Sequence, residues 1–386
     1  MAALEAAGGP DCARFVGGCV RNALMGREID DVDIATTLKP EETERAIRAA
    51  GLKAVPTGIA HGTVTAVAER QPFEITTLRQ DVSTDGRNAT VAFTDDWAED
   101  AARRDFRLNA LYADGEGRVF DPTGQGVADA AAGRIVFVGD PHTRIREDYL
   151  RILRFFRFFA WYGQGKPDAA GLEACRALAS GMTRLSAERV SKELMKLLAA
   201  PDPRIAMAAM AETGVLAQVL PEAGSLDLFE NVVDLTGDPV VRLMTLFAID
   251  AEAMRGAAER LRFPNAARDR LVASALAAPG VALGMTEAQA RAAVYRHGGR
   301  AVADAVLRLH AAVPAETADA ARLLAVAEGW AAPRLPVGGK DLARLGVAPG
   351  PETGRLLKAF EAGWIADDFP TDGHAEKLAS LVTSRG

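Results

Sequence analysis

The stretch from Phe15 to Thr36, FVGGCVRNALMGREIDDVDIAT, leaves a chain little freedom in what it can build. A short apolar strand, Arg14-Phe15-Val16, turns at Gly17-Gly18 into a helical pattern from Val20 to Met25. It breaks at Gly26 and returns as a strand bearing Asp31 and Asp33. Strand side chains alternate between faces, so Asp31 and Asp33 are expected to project together with Val32 turned away. Two carboxylates side by side repel unless a cation lies between them. Magnesium, a hard ion that takes oxygen ligands and often shares them with substrate phosphates, suits the pair. A glycine turn running into a helix start adds backbone N–H donors and a positive dipole end, which suits a triphosphate. Taken singly, a Gly-Gly turn or a D-x-D strand end is ordinary structure. Their order within one segment points to nucleotidyl transfer.

Around this segment, residues 12–140 alternate strand and helix signals. Pro40 and Glu41, Glu42 and Glu44 open a helix with proline and acids in its first turn, as the dipole prefers. Lys53–Val55, Gly62–Val67 and Phe73–Leu78 read as strands. If the last neighbours the D-x-D strand, Glu74 offers a third carboxylate; otherwise it is a polar residue on an exposed sheet face. Arg79–Asp96, rich in Asp, Ser, Thr, Gly and Asn, reads as a mobile loop. Glu99–Tyr112 reads as a helix, with Ala102, Phe106, Asn109 and Ala110 on one face. Arg118–Pro122 and Ile135–Val138 close the strand-bearing part. Beyond Thr143 nearly everything is helical: Thr143–Ala160, then Leu185–Ala199 with Ser186 as N-cap, and further helices to a Pro/Gly-rich break at Ala332–Gly339.

Composition narrows the class. With 386 residues the chain holds more than one core, and 49% apolar and 25% charged residues are ordinary for a globular protein. The formal charge of −7 argues against a generally basic nucleic-acid coat. Residues 141–200, however, carry eleven Lys and Arg against six Asp and Glu, which fits a local docking surface or a solvated helix face. Cys12, Cys19 and Cys175 have no paired spacing, so neither a disulfide framework nor a zinc site is expected. A signal pattern and a membrane-length apolar run are lacking, and a cytoplasmic location is expected.

Four arrangements follow one another: G-G-x-V-R-N with D-V-D (Gly17–Asp33), R-R-D-F-R-L-N-A-L (Arg103–Leu111), E-D-Y-L-R-I-L-R-F-F-R-F (Glu147–Phe158) and L-S-A-E-R (Leu185–Arg189). In this order they resemble the bacterial tRNA nucleotidyltransferase and poly(A) polymerase family, most of all its CCA-adding members. The likeness runs on to G-K-D-L-A-R-L-G-V-A-P-G-P-E-T-G-R-L-L (Gly339–Leu357) and Trp364. The resemblance implies an α+β nucleotidyltransferase head, polymerase β-like, with a small mixed sheet, followed by an all-α neck, body and tail. The segments expected are a catalytic head (1–140), a neck for base recognition (141–204), a body (205–331) and a tail that binds tRNA (332–386).

It also implies roles. Asp31 and Asp33 would hold two Mg2+ ions, one acting on the RNA 3′-hydroxyl and the other on the leaving pyrophosphate, with Glu74 the possible third catalytic carboxylate. Gly18 and Arg21 would contact the triphosphate, Arg104 a phosphate and Asp105 the ribose 2′-hydroxyl. Asp148 and Arg151 would read the base, with Arg154 and Arg157 further along the nucleotide. A carboxylate beside a guanidinium offers acceptors and donors that can serve both C and A, so protein replaces a template. On one helix these four positions would spiral by roughly 180° and rise about 13 Å, enough to follow an extended nucleotide.

Departures from the family pattern bear on these expectations. Asn22 stands where an aspartate is usual. Leu246–Asp250 has no histidine before its aspartate, so the phosphohydrolase activity of some relatives is not expected. His61 reads as structural, and the other histidines suggest no metal site. The expected reaction joins CMP and AMP from CTP and ATP to a tRNA 3′ end, with no membrane or DNA partner. The alternatives are a poly(A) polymerase, disfavoured because no basic extension flanks the motifs, an enzyme adding only A or only CC, and a non-catalytic RNA-binding protein.

Overall fold

The computed structural model describes residues 1–58, 62–85 and 88–384; His61 lies outside them. Contacts divide the chain into two compact units, Met1–Pro221 and Glu222–Gly386.

The first unit is α+β, as the motifs imply. Its strands are β1 (Ala13–Val16), β2 (Asp33–Thr36), β3 (Lys53–Gly58), β4 (Thr63–Ala68), β5 (Gln71–Thr77), β6 (Arg79–Asp85), β7 (Asn88–Phe93), β8 (Tyr112–Ala113) and β9 (Val119–Phe120). Seven of them form one mixed sheet in the order β3-β4-β5-β2-β1-β8-β9. Among the described residues only β2 and β5 pair in parallel, and their register sets Asp33 opposite Glu74. The helices α1 (Ala2–Gly8), α2 (Gly18–Leu24) and α3 (Pro40–Ala49) flank this sheet. Leu4, Ile34, Ile47, Val64 and Ile75 form the core that α1 and α3 close.

Several expectations change. Asp31 is not on the strand: β2 starts at Asp33, because β1 pairs only as far as Phe15 with Ile34 and then turns away at Gly17. Arg79–Asp96 is no loop but an antiparallel hairpin of β6 and β7, running from Arg79↔Phe93 to Asp85↔Asn88. Ladders are made by backbone groups, and a polar sequence does not forbid them. The helix expected over Glu99–Tyr112 stops early, as α4 (Trp97–Ala102). After it the chain forms a 3-10 turn, Arg107–Asn109, and joins the sheet at β8. Asp105, past the end of α4, organises this turn: its carboxylate accepts from the Phe106 N–H at 2.8 Å and from Asn109 Nδ2 at 3.0 Å. Ile135–Val138 contributes only a bridge, Phe106↔Phe137.

The long helix expected over Thr143–Ala160 is two. After α5 (Gly126–Ala132) come α6 (Pro141–Glu147) and α7 (Leu150–Tyr162), with Asp148 between them in an extended conformation. Its carboxylate accepts from the Leu150 N–H at 3.1 Å, restarting the helix. Asp148 therefore lies outside the spiral that Arg151, Arg154 and Arg157 follow. Two further helices, α8 (Ala169–Leu178) and α9 (Ala187–Leu198), pack beyond, with Ser186 at the N-cap position of α9. Buried phenylalanines fix α7 against the 105–109 turn: Phe106 lies 4.9 Å from Phe137 and 5.2 Å from Phe158, ring centre to ring centre, and Phe137 stacks on Phe155 at 5.5 Å.

The second unit is helical from Asp227–Val233 to His374–Thr383. One of its cores joins Val302, Val306, Ala320 and Leu323, and another joins Leu342, Leu356, Phe360, Trp364 and Leu378 with Ala292. No helix among the described residues is long and apolar enough to cross a membrane.

Candidate active site

A polar cleft of about 490 Å³ opens in the first unit between the Gly17 turn, the segment before β2, the 104–109 turn, α7 and α9. Gly18, Arg21, Asp31, Asp33, Arg104, Asp105, Arg154 and Arg157 line it; Glu74, Asp148 and Arg151 do not. Gly17, at φ +71°, supplies the reversal that brings α2 over the cleft, and a Cβ there would also come within 3.5 Å of the Arg104 guanidinium.

Arg21 is 6% exposed, yet all its side-chain partners are neutral. It donates to Asn109 Oδ1 at 2.6 Å, to Asn22 Oδ1 at 3.1 and 2.8 Å, and to the Tyr162 hydroxyl at 2.8 Å. Burial pulls its pKa down; Tyr162 and Asp105 oppose this, and the like charges of Arg157 and Arg27 add to it. A buried cation held by amides and a phenol is poised for an anion from outside. Asn22 is informative in this respect: its Nδ2 donates to the Glu28 carbonyl at 2.7 Å, a bond an aspartate could not make.

Arg104, Arg151, Arg154 and Arg157 are each paired with a carboxylate within the protein. Arg104 donates to Asp100 Oδ2 at 2.8 Å, and the Tyr112 hydroxyl donates to the same oxygen at 2.7 Å. Burial works against the Arg104 charge, but Asp100 outweighs it and raises the pKa above the ordinary value. Arg154 pairs with Asp105, Nε to Oδ2 at 2.8 Å. Although burial raises the Asp105 carboxyl, Arg154 and Asn109 bring it below the usual range. Arg157 donates to Glu193 at 2.5 Å and Arg151 to Glu147 at 2.5 Å, while Arg151 also reaches the Arg103 carbonyl at 3.1 Å. Asp148 accepts from Arg189 at 2.6 Å.

On the opposite wall the charge is negative. Asp30 and Asp31 line the cleft beside Asp33. The pKa of Asp33 is raised, first by partial desolvation of its carboxylate in the cleft, then by Glu74 and Asp31, with Arg104 opposing. Among the described residues no three His, Cys, Asp or Glu converge as a ready metal cage.

Sequence reasoning missed several residues. Asn109, read as part of a helix face, joins Arg21 to Asp105 through the two ends of its amide. Arg189, the last residue of the L-S-A-E-R motif and given no role by it, holds Asp148. Tyr162 and Lys196 line the cleft from the ends of α7 and α9. The spacing of Tyr162 one turn after Phe158 was the available signal for the first of these.

Comparison with known proteins agrees with this architecture. Residues 13–136 match the poly A polymerase head domain, and residues 167–226 match the probable RNA and SrmB-binding site of polymerase A. A mitochondrial CCA tRNA nucleotidyltransferase 1 of Danio rerio is 34% identical over 91% of this chain and 83% of its own length. A CCA-adding enzyme of Limosilactobacillus fermentum is 32% identical over 93% of this chain and 91% of its own. The crystal structure of the Bacillus stearothermophilus CCA-adding enzyme in complex with CTP superposes with a TM-score of 0.78 at 26% identity, covering 97% of this chain and 94% of that one. With relatives of this similarity along nearly the whole chain, a matched head domain and an acidic wall facing an arginine-lined cleft, the chain belongs to the tRNA nucleotidyltransferase and poly(A) polymerase family, on its CCA-adding side.

Proposed function

We infer that the chain is a CCA-adding tRNA nucleotidyltransferase, transferring CMP and AMP from CTP and ATP to a tRNA 3′ end with release of pyrophosphate. The observation that carries this reading is the charge layout of one cleft: Arg21, buried among neutral partners, faces a wall of carboxylates centred on Asp33. A polyanionic nucleotide relieves the first and a divalent cation relieves the second.

The carboxylate wall fits Mg2+ chemically, since its donors are hard oxygens and the Asp33 carboxyl is raised partly by its neighbours Glu74 and Asp31. Asp31 and Asp33 would hold the metal, two ions in the family's manner, with substrate oxygens completing the ligand set. Bound there, Mg2+ favours the ionised form of the attacking hydroxyl and neutralises charge on the leaving group. Glu74, exposed and opposite Asp33 in the sheet, acts on the Asp33 charge rather than from the cleft itself.

Gly18 and Arg21 take the triphosphate in this reading, and Arg104 and Arg157 lie within reach of it. Asp105 is engaged by Arg154 and Asn109, so a ribose 2′-hydroxyl shares the Oδ2 edge with Arg154. Asp148 and Arg151 are assigned the base. Each is tied to an opposite charge, Arg189 and Glu147, so selecting C or A exchanges a protein partner for a base edge. Catalysis is assigned to residues 1–140, base choice to 141–204 and tRNA holding to the helices beyond, chiefly 332–386. Of the compartments that hold tRNA, CTP and ATP, we propose the cytoplasm; the vertebrate relatives carry a mitochondrial name.

Incubation with tRNA transcripts ending at the discriminator, at C or at CC, with CTP and ATP separately and together, tests the reading on a sequencing gel. The expected products are CC with CTP alone and a complete, arrested CCA with both. A lengthening run of A on every transcript would identify a poly(A) polymerase instead. Addition limited to C, or to the last A, would identify a partial enzyme.

A further inference from the structure

Phe158 and Tyr162, one turn apart on α7, carry a set of guanidiniums on their rings. The Arg21 guanidinium carbon lies 4.0 Å from the Tyr162 ring centre and that of Arg27 lies 4.9 Å from the same centre. Those of Arg157 and Arg154 lie 4.3 and 5.2 Å from Phe158. Two of the four have carboxylate partners: Arg154 has Asp105 and Arg157 has Glu193. Among the described residues, Arg21 and Arg27 form no ion pair with a carboxylate. They share one tyrosine instead.

Two like charges over one ring repel, and the ring's quadrupole offsets only part of that. Arg27 is one of the cations that lower the pKa of Arg21. A fold that needed only a packed surface would place an acid between them, as it does for the neighbouring arginines. Arg27 is exposed, in the segment that leads from α2 to the carboxylate wall, and its backbone N–H donates to the Asn22 carbonyl at 2.8 Å. The Asn22 side chain holds Arg21 at one end and the Glu28 carbonyl, next to Arg27, at the other. The two arginines are therefore positioned by one residue and one ring.

We propose that Arg27 is a further nucleotide-binding residue, and that Tyr162 is the positioning platform that aims Arg21 and Arg27 together at the β and γ phosphates of the incoming nucleotide. This rests on the assignment of Arg21 to the triphosphate. A nucleoside monophosphate, which has neither distal phosphate, gains nothing from the pair.

The test is calorimetric titration of the full chain, without tRNA so that no transfer occurs, with Mg-CTP and with CMP. Arg27→Ala is expected to weaken CTP about 5- to 20-fold and CMP less than twofold, the loss of a charge-assisted phosphate contact. Tyr162→Phe, which keeps the ring and removes the hydroxyl acceptor of Arg21, is expected to weaken CTP about threefold with the melting temperature unchanged. Tyr162→Leu, which removes the platform, is expected to exceed Arg27→Ala. Arg48→Ala, on α3 away from the cleft, controls for net charge and leaves both ligands unchanged. Equal losses for CTP and CMP in Arg27→Ala would overturn the proposal. So would an unchanged CTP affinity accompanied by weaker tRNA binding, which would give Arg27 to a primer phosphate. Arg21→Ala separates the two levels: if it weakens CTP and CMP equally, the triphosphate assignment itself fails. If it weakens CTP selectively while Arg27→Ala and Tyr162→Phe do not, only the present proposal fails.

Discussion

The two ends of the proposed nucleotide site are built on opposite electrostatic plans. At the Arg21 end a guanidinium is buried among amides and a phenol, with a second cation nearby and no acid paired to either among the described residues. At the Asp148 end every charge has its opposite: Asp148 with Arg189, Arg151 with Glu147. An uncompensated charge binds strongly and with little discrimination, because any phosphate satisfies it. A compensated charge costs little to hold and responds only to a partner whose donors and acceptors match it better than its own. The first plan suits the part of the substrate common to CTP and ATP. The second suits the part that differs.

The sharpest break in this comparison should come at the carboxylate wall, which neither plan can replace. Asp33→Ala is expected to cut incorporation by about 10³-fold or more while tRNA binding in a filter assay stays within a factor of two. Substantial residual Mg2+-dependent incorporation would remove Asp33 from the chemistry. Next in size, Arg21→Ala is expected to lower kcat/KM by about 10²-fold, equally for CTP and ATP. Asp148→Ala should do less to the total rate and more to choice, shifting the CTP-to-ATP preference by about tenfold on a transcript ending at the discriminator. Arg189→Ala should follow it in the same direction with a smaller shift, as a positioning residue would.

The smallest effect is one of stability. The Asp33 pKa is raised in the fold, so the folded chain binds the proton more tightly than the unfolded chain does. Stability from this group therefore falls as pH rises from the unfolded to the folded pKa, and at neutral pH the ionised carboxylate is a cost. Asp33→Asn should raise the melting temperature in metal-free buffer at pH 7 by about 1–2 °C, with activity lost. The gain should vanish at a pH below both pKa values. A lower melting temperature for the amide at pH 7 would show that the carboxylate is structurally supported rather than strained.

The sequence made the catalytic half of this layout readable and hid the rest, for reasons that lie in particular residues. Gly17-Gly18, Arg21 and Asp33 sit close together in the chain, so local rules of strand, turn and helix locate them. Glu74 could be read only conditionally, because its partnership with Asp33 depends on a parallel pairing across the intervening β3 and β4. Asp148 looked helical because its neighbours are strong helix formers, and nothing local announces that its carboxylate restarts the helix at Leu150. Asp105 organises the turn after α4 in the same way. The β6–β7 hairpin was read as a loop from its polar composition, although its ladder needs only backbone. Arg189, Asn109 and Tyr162 act through partners 41, 88 and 141 residues away, distances over which no periodicity speaks.

The division of labour between the two ends is tested most directly by one ratio. It is kcat/KM for CTP over kcat/KM for ATP, measured on a transcript ending at the discriminator for the parent chain, Arg21→Ala and Asp148→Ala. The layout predicts that Arg21→Ala lowers both constants and leaves the ratio unchanged, while Asp148→Ala moves the ratio about tenfold. A ratio that shifts as far in Arg21→Ala as in Asp148→Ala would contradict it.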